Sequence, residues 1–215
     1  MRSIIGVYVD AGASVATVVR AVTQEVGTSY VVRAVVAEHL DEEKFFDALS
    51  VFVMPGGADL PYCAKLNGER NERLRRWVEG GGVYLGLCAG GYYGCSSIIF
   101  HGDGSEIVGD RELGFLQGTA IGSIKELAPL YDFTIKSAAV AHLVSDEGES
   151  AAFYNGGSFF KIRKDTNAKV LARYRDVTGN PPAIVETRVS AGKAILCGVH
   201  PEVSYNELSL QVRSV

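Results

Sequence analysis

The segment YLGLCAGGYYG, residues 84–94, sets one cysteine between glycines two positions to either side. Gly86-x-Cys88-x-Gly90 after an apolar run has the form of a nucleophile elbow carrying a thiol. A turn that tight has no room for flanking side chains. It presents its nucleophile at the C-terminal edge of a sheet and the start of a helix, where the helix dipole favours the thiolate. The alternative is a free cysteine buried in a glycine-rich turn, since free cysteine is among the most buried residue types. The pentapeptide alone does not separate the two.

A cysteine nucleophile needs a base, and the chain has four histidines, His39, His101, His142 and His200. His200 differs from the others because it closes the apolar run KAILCGV, with Glu202 two residues on. In an extended segment residues i and i+2 point the same way, so Glu202 can orient the imidazole as the third member of a triad. A surface His-Pro-Glu turn is the alternative. Pro55-Gly56-Gly57 also comes after a strand-like run. Its glycines let a backbone N–H approach a reacting centre, so the N–H of Gly57 and that of Ala89 after the nucleophile are the candidate oxyanion hole. An ordinary Pro-Gly turn competes with that reading.

The chain of 215 residues is 47% hydrophobic and 21% charged, enough for one substantial core, and a single domain over 1–215 is the expectation. A net charge of −4 offers no electrostatic reason to expect nucleic acid or an anionic membrane as partner. Cys63, Cys88, Cys95 and Cys197 have no CxxC spacing, so neither a zinc site nor a disulfide framework is expected. No metal or organic cofactor is implied, and a reducing cytoplasm is the expected compartment. Residues 80–100 carry no charge and are long enough to cross a bilayer. Glycines at 80, 81, 82, 86, 90, 91 and 94 make that a poor lipid-exposed helix; a strand, a turn and a helix start explain it better. The apolar run 3–9 stops at Asp10, short of a signal-peptide core.

These residues need a scaffold, and the first half alternates in the manner of an α/β fold. Strands are expected at 3–9, 30–37, 50–55 and 82–88. Helices are expected at 14–26 with Ser14 as N-cap, at 40–49 capped by Asp41, and at 71–81 stopped by Gly80. That order implies parallel βαβ units. The second half reads as strand-rich, with runs at 96–102, 133–144, 151–163, 168–175 and 183–189 before the last strand at 193–199. An antiparallel extension or insertion against the parallel sheet is expected. Residues 176–182 read as a tight turn between strands.

With strand–PGG, strand–GxCxG and strand–HPE in that order, the chain resembles class I glutamine amidotransferase-like domains. Those place a Cys-His-Glu triad on a flavodoxin-like three-layer sandwich with a mostly parallel central sheet. The stretch MPGGADLPYCAKLNGERNERLRRWVEGGGVYLGLCAGGYYG, with the later FYNGG and GVHPE, resembles the N-terminal domain of eukaryotic-type biotin–protein ligases in particular. The resemblance implies Cys88, His200 and Glu202 as the triad, Gly57 and Ala89 as the oxyanion hole, and no metal. It also implies a substrate site at Gly56, Asp59, Tyr62, Tyr92, Asn155 and Gly156, with helix capping for Asp59 and an Asn-Gly hairpin turn for Asn155 as alternatives. Glutamine-using members carry a glutamine four residues past the cysteine, where this chain has Tyr92. No GRGRxG-type biotinyl-adenylate loop is present, so biotin ligation is not expected of this chain alone.

These features suit two functions. One is a cysteine-dependent amidase acting on a small amide- or carboxylate-bearing molecule through a thioester. The other is a non-catalytic binding or regulatory module. A partner would be a separate biotin ligase or an acceptor-domain protein.

Overall fold

The computed structural model of the protein describes residues 3–102 and 104–204. Nine strands form the larger sheet. Its first five, in sheet order, are β2 (Val31–Val35), β1 (Ile4–Tyr8), β3 (Leu49–Met54), β4 (Val83–Leu87) and β13 (Gly192–Cys197). All neighbours among these five pair in parallel. The order 2-1-3-4 with one more strand beyond it is the flavodoxin-like one. From β13 the sheet continues antiparallel through β12 (Pro182–Val189), β11 (Ala168–Tyr174), β8 (Ala139–Ser145) and β9 (Gly148–Tyr154).

The parallel strands are covered on both faces, which is why their sequences read as continuous apolar runs. Ile5, Val7 and Val53 point toward Val18, Val19 and Val22 of helix α1 (Ala16–Val26). Tyr8, Phe52, Met54 and Tyr84 point the other way, into a cluster with Leu66 of α2 (Asp59–Leu66) and Leu74, Trp77 and Val78 of α3 (Glu69–Glu79). Each fully buried side chain of this size contributes about 1.5–3 kcal/mol. The same cluster takes Ile98, Leu116, Ala120 and Phe160 from a second sheet. That sheet runs β10 (Ser158–Ile162), β7 (Leu116–Gly122), β5 (Cys95–Gly102), β6 (Ser105–Asp110). The antiparallel wing has its own core, in which Leu143, Tyr154, Tyr174 and Val199 meet Ile124 and Ala128.

Several local expectations are corrected. Helix α1 starts at Ala16 without a side-chain cap, and the Ser14 N–H donates instead to the Gly56 carbonyl at 2.8 Å. The helix expected over 40–49 is two 3-10 turns, Ala37–Asp41 and Glu43–Ala48; Asp41 takes a bidentate Arg70 guanidinium at 2.9 and 2.7 Å instead of capping. Helix α2, which includes Pro61, and strands β6 and β7 have no counterpart in the sequence pattern. The run expected from 133 becomes strand only at Ala139, after a short turn capped by Thr134. Among the described residues no helix is long and apolar enough to cross a membrane.

Candidate functional site

Strands β3, β4 and β13 are consecutive neighbours, so the segments leaving them emerge at one carboxyl edge. After β4 the chain turns at Cys88, whose φ of 49° and ψ of −103° lie where non-glycine residues seldom go. Backbone strain of this kind costs on the order of 1–3 kcal/mol and persists only when its surroundings enforce it. Here they do. A side chain at Gly86 would meet the Gly90 carbonyl, and one at Gly90 would meet the Met54 carbonyl. The Cys88 N–H donates to Cys197 O at 2.8 Å, tying the elbow to β13. Helix α4 (Ala89–Tyr93) then begins directly after the cysteine.

Beyond β13 the chain delivers His200 and Glu202. The imidazole Nδ1 lies 2.7 Å from Glu202 Oε1, and both side chains are largely buried. The His200 N–H donates to Phe153 O at 2.8 Å, and the Phe153 ring lies against the imidazole with centroids 5.6 Å apart. With Nδ1 committed to the carboxylate, Nε2 is left for the thiol. Burial works against the imidazolium, but the Cys88 charge and hydrogen bond, and after them those of Glu202, outweigh it and raise the His200 pKa to about 10. Gly56 makes this proximity feasible. A Cβ there would stand 2.5 Å from His200 Cε1 and 3.4 Å from Cys88 Cβ.

The loop after β3 is held from below. Tyr62, expected to line a substrate site, is fully buried, and its hydroxyl reaches Gly56 O at 3.0 Å and Pro55 O at 3.2 Å. Ala58 N–H donates to Gly12 O at 2.9 Å. Gly57 has φ 127° with its Cα against the Gly12 carbonyl, a position only glycine fills without strain. Among the described residues neither the Gly57 nor the Ala89 N–H donates to a backbone carbonyl.

Gly57, Cys88 and Ala89 open onto a cavity of about 220 Å³. Asp59, Tyr92, Asn155 and Gly156 are among its lining residues, though two of them have their polar atoms engaged. The Asp59 carboxylate is held by Arg111 Nε at 2.8 Å and Nη2 at 2.7 Å. The Tyr92 hydroxyl points to the carbonyls of Gly156 at 3.1 Å and Gly157 at 2.9 Å. Asn155 is not in a hairpin: β9 before it pairs with β8, and β10 after it pairs with β7 in the other sheet. Its carbonyl lies 3.8 Å from Cys88 Sγ, and its buried Oδ1 has no partner.

The rest of the lining escaped sequence reasoning. Ile98, Phe100 and Ile107 come from β5 and β6, and Tyr131 and Phe133 from the segment before β8. An advance signal is the aromatic pair in LYDF, residues 130–133, which stands just before and at the start of the run expected as strand from 133.

A family model described as "Biotin-protein ligase, N terminal" matches residues 4–214. An uncharacterized protein of Chlamydia muridarum is 36% identical over 181 residues, covering 82% of this chain and 69% of that protein. A Schizosaccharomyces pombe biotin–protein ligase is 36% identical over 188 residues, covering 81% of this chain but only 29% of the ligase. Among solved structures, PurLQS from Thermotoga maritima aligns with a TM-score of 0.64 at 17% identity, over 97% of this chain and 92% of the matched one. That likeness concerns the fold, which is of the glutamine amidotransferase type.

Proposed function

The chain belongs to the biotin–protein ligase N-terminal family, and from that premise we propose that it is a cysteine-dependent amidase. The observation that carries this reading is the strained Cys88, which lines the cavity, beside a buried imidazole that is itself hydrogen-bonded to Glu202. Cys88 attacks the carbonyl carbon of an amide as the thiolate, with the proton held on His200. The oxyanion takes the N–H groups of Gly57 and Ala89. The carbon–nitrogen bond breaks as His200 hands its proton to the leaving amine or ammonia. Water, deprotonated by His200, then cleaves the thioester to the free acid and restores the thiol. Glu202 keeps the imidazole in the tautomer and orientation each step needs.

The test is release of ammonia or amine from a panel of amides by the purified chain and by Cys88→Ala. Turnover by the parent is expected, with a loss of at least about 10³-fold in the variant while its circular dichroism is unchanged. Equal, background-level release from both would overturn the reading. A second reading, a non-catalytic module that docks onto a separate biotin ligase, is favoured by the committed Tyr92 hydroxyl. It predicts that background-level result, together with binding to such a ligase.

A further inference from the structure

The walls of the cavity differ from what a free amino-acid amide would need. Besides the thiol and the residues already named, they include Ile98, Phe100, Ile107, Tyr131 and Phe133. Three of these rings form one cluster: Phe100 meets Tyr131 at 5.7 Å and Phe133 at 5.8 Å, and Tyr131 meets Phe133 at 5.0 Å between centroids. Tyr92 joins it edge-on to Phe100 at 5.8 Å. Phe133 is 57% exposed and Leu60 50%, so both mark the open side of the cavity. Phe133 also has φ 62°, a left-handed conformation that is unusual for a bulky side chain.

Charge points the same way. Among the described residues Asp59 is the one charged side chain in the lining, and Arg111 already neutralises it at 2.7 Å. A carboxylate carried on the substrate would find no cation in this wall, and an ammonium would compete with Arg111 for Asp59. Taking an ionised group from water into such a site without a partner is unfavourable. Asn155, in contrast, is an uncharged polar residue of the lining, and its buried Oδ1 has no partner within the protein.

We propose that the cavity selects an uncharged amide whose acyl body is apolar and preferably aromatic, and rejects zwitterionic amides such as glutamine. This rests on the amidase reading for turnover, but not for binding. The acyl group lies against Phe100, Tyr131 and Phe133, and the amide end lies toward Cys88 and Asn155. Hydrolysis of the amide by one water then yields an apolar carboxylic acid and ammonia or an amine.

Three probes separate the contributions: 3-phenylpropanamide, butyramide and glutamine. Butyramide is glutamine without its two charges. Binding to Cys88→Ala is measured by calorimetry, and ammonia release and the Cys88 acyl adduct are monitored in the parent. The expected order is 3-phenylpropanamide, then butyramide, then glutamine, with at least about a hundredfold between first and last. Phe133→Ala, which removes an exposed side chain, should weaken 3-phenylpropanamide about tenfold and butyramide by less, because the smaller acyl chain covers less of the ring. Glutamine binding as well as or better than the aromatic amide would overturn the proposal, as would failure of the aromatic amide to bind. Binding in the expected order with no acyl adduct and no ammonia would instead sink the amidase reading and leave the cavity's selectivity standing.

Discussion

At the scale of single residues, His200 is where opposing forces meet. Burial disfavours its cation, while the Cys88 thiolate and the Glu202 carboxylate favour it, and the balance lies with the cation up to about pH 10. The imidazole is therefore charged below that value and neutral above it, and its shift is upward, opposite to that of a buried histidine without partners. In Cys88→Ala the thiolate is gone and burial remains, so the titration midpoint of the His200 C2 proton is expected to move down. In the proposed amidase mechanism the imidazolium protonates the leaving amine, which predicts that kcat/KM declines as the pH rises through about 10. A midpoint indifferent to Cys88 would show that the thiolate does not act on the ring.

At the scale of elements, the segment 155–157 matters most. It carries the chain from one sheet to the other and forms part of the cavity wall. Tyr92 on α4 and Tyr154 at the end of β9 both donate to the Gly157 carbonyl at 2.9 Å, pinning the crossing to the elbow helix. Tyr92→Phe removes one of these donors and leaves the Gly157 carbonyl with Tyr154 alone among them, at a cost of about 1–2 kcal/mol. Chemical denaturation should register that loss, and on the proposed amidase reading the KM for 3-phenylpropanamide should rise more than kcat falls, because the wall shifts while Cys88, His200 and Glu202 keep their places. An undiminished stability would mean that the hydroxyl is not holding the crossing. The elements that the sequence pattern does not reveal have physical causes. Strand β6, SEIVGD, is an exposed edge with little apolar content, so its pairing with β5 leaves no hydrophobic alternation to detect. The run AAFYNGGSFFKIR looks like one strand region with an Asn-Gly turn, and only its partners show that its halves belong to different sheets.

At the scale of the whole molecule, the two sheets touch backbone to backbone where the chain leaves β13. A Cβ on Gly198 would strike the Ser158 carbonyl, and one on Gly157 would strike the Gly198 carbonyl. The Tyr174 hydroxyl from β11 seals this seam, reaching Ser158 O at 2.8 Å and Gly198 O at 3.1 Å. The contact lies two residues before His200, so sheet packing and site geometry are one problem. Gly198→Ala is expected to destabilise by about 3 kcal/mol through overpacking, lowering Tm by about 6–12 °C in a thermal melt. A melt like the parent's would mean the seam has room to spare.

What the sequence determined by itself was local: apolar runs long enough to be strands, the glycine spacing around Cys88, and the Glu202 carboxylate two residues from His200. These are legible because steric and periodic constraints act within a few residues of one another. The convergence of the post-strand motifs was foreseeable once parallel βαβ order was assumed, since parallel strands share a carboxyl edge. The character of the cavity was not. Its aromatic wall, the Arg111 that neutralises Asp59, and the diversion of the Tyr92 hydroxyl all depend on side chains from strands and loops remote in the chain. Only tertiary packing decides which of those meet, because no short-range pattern records the partner on the far side of a contact.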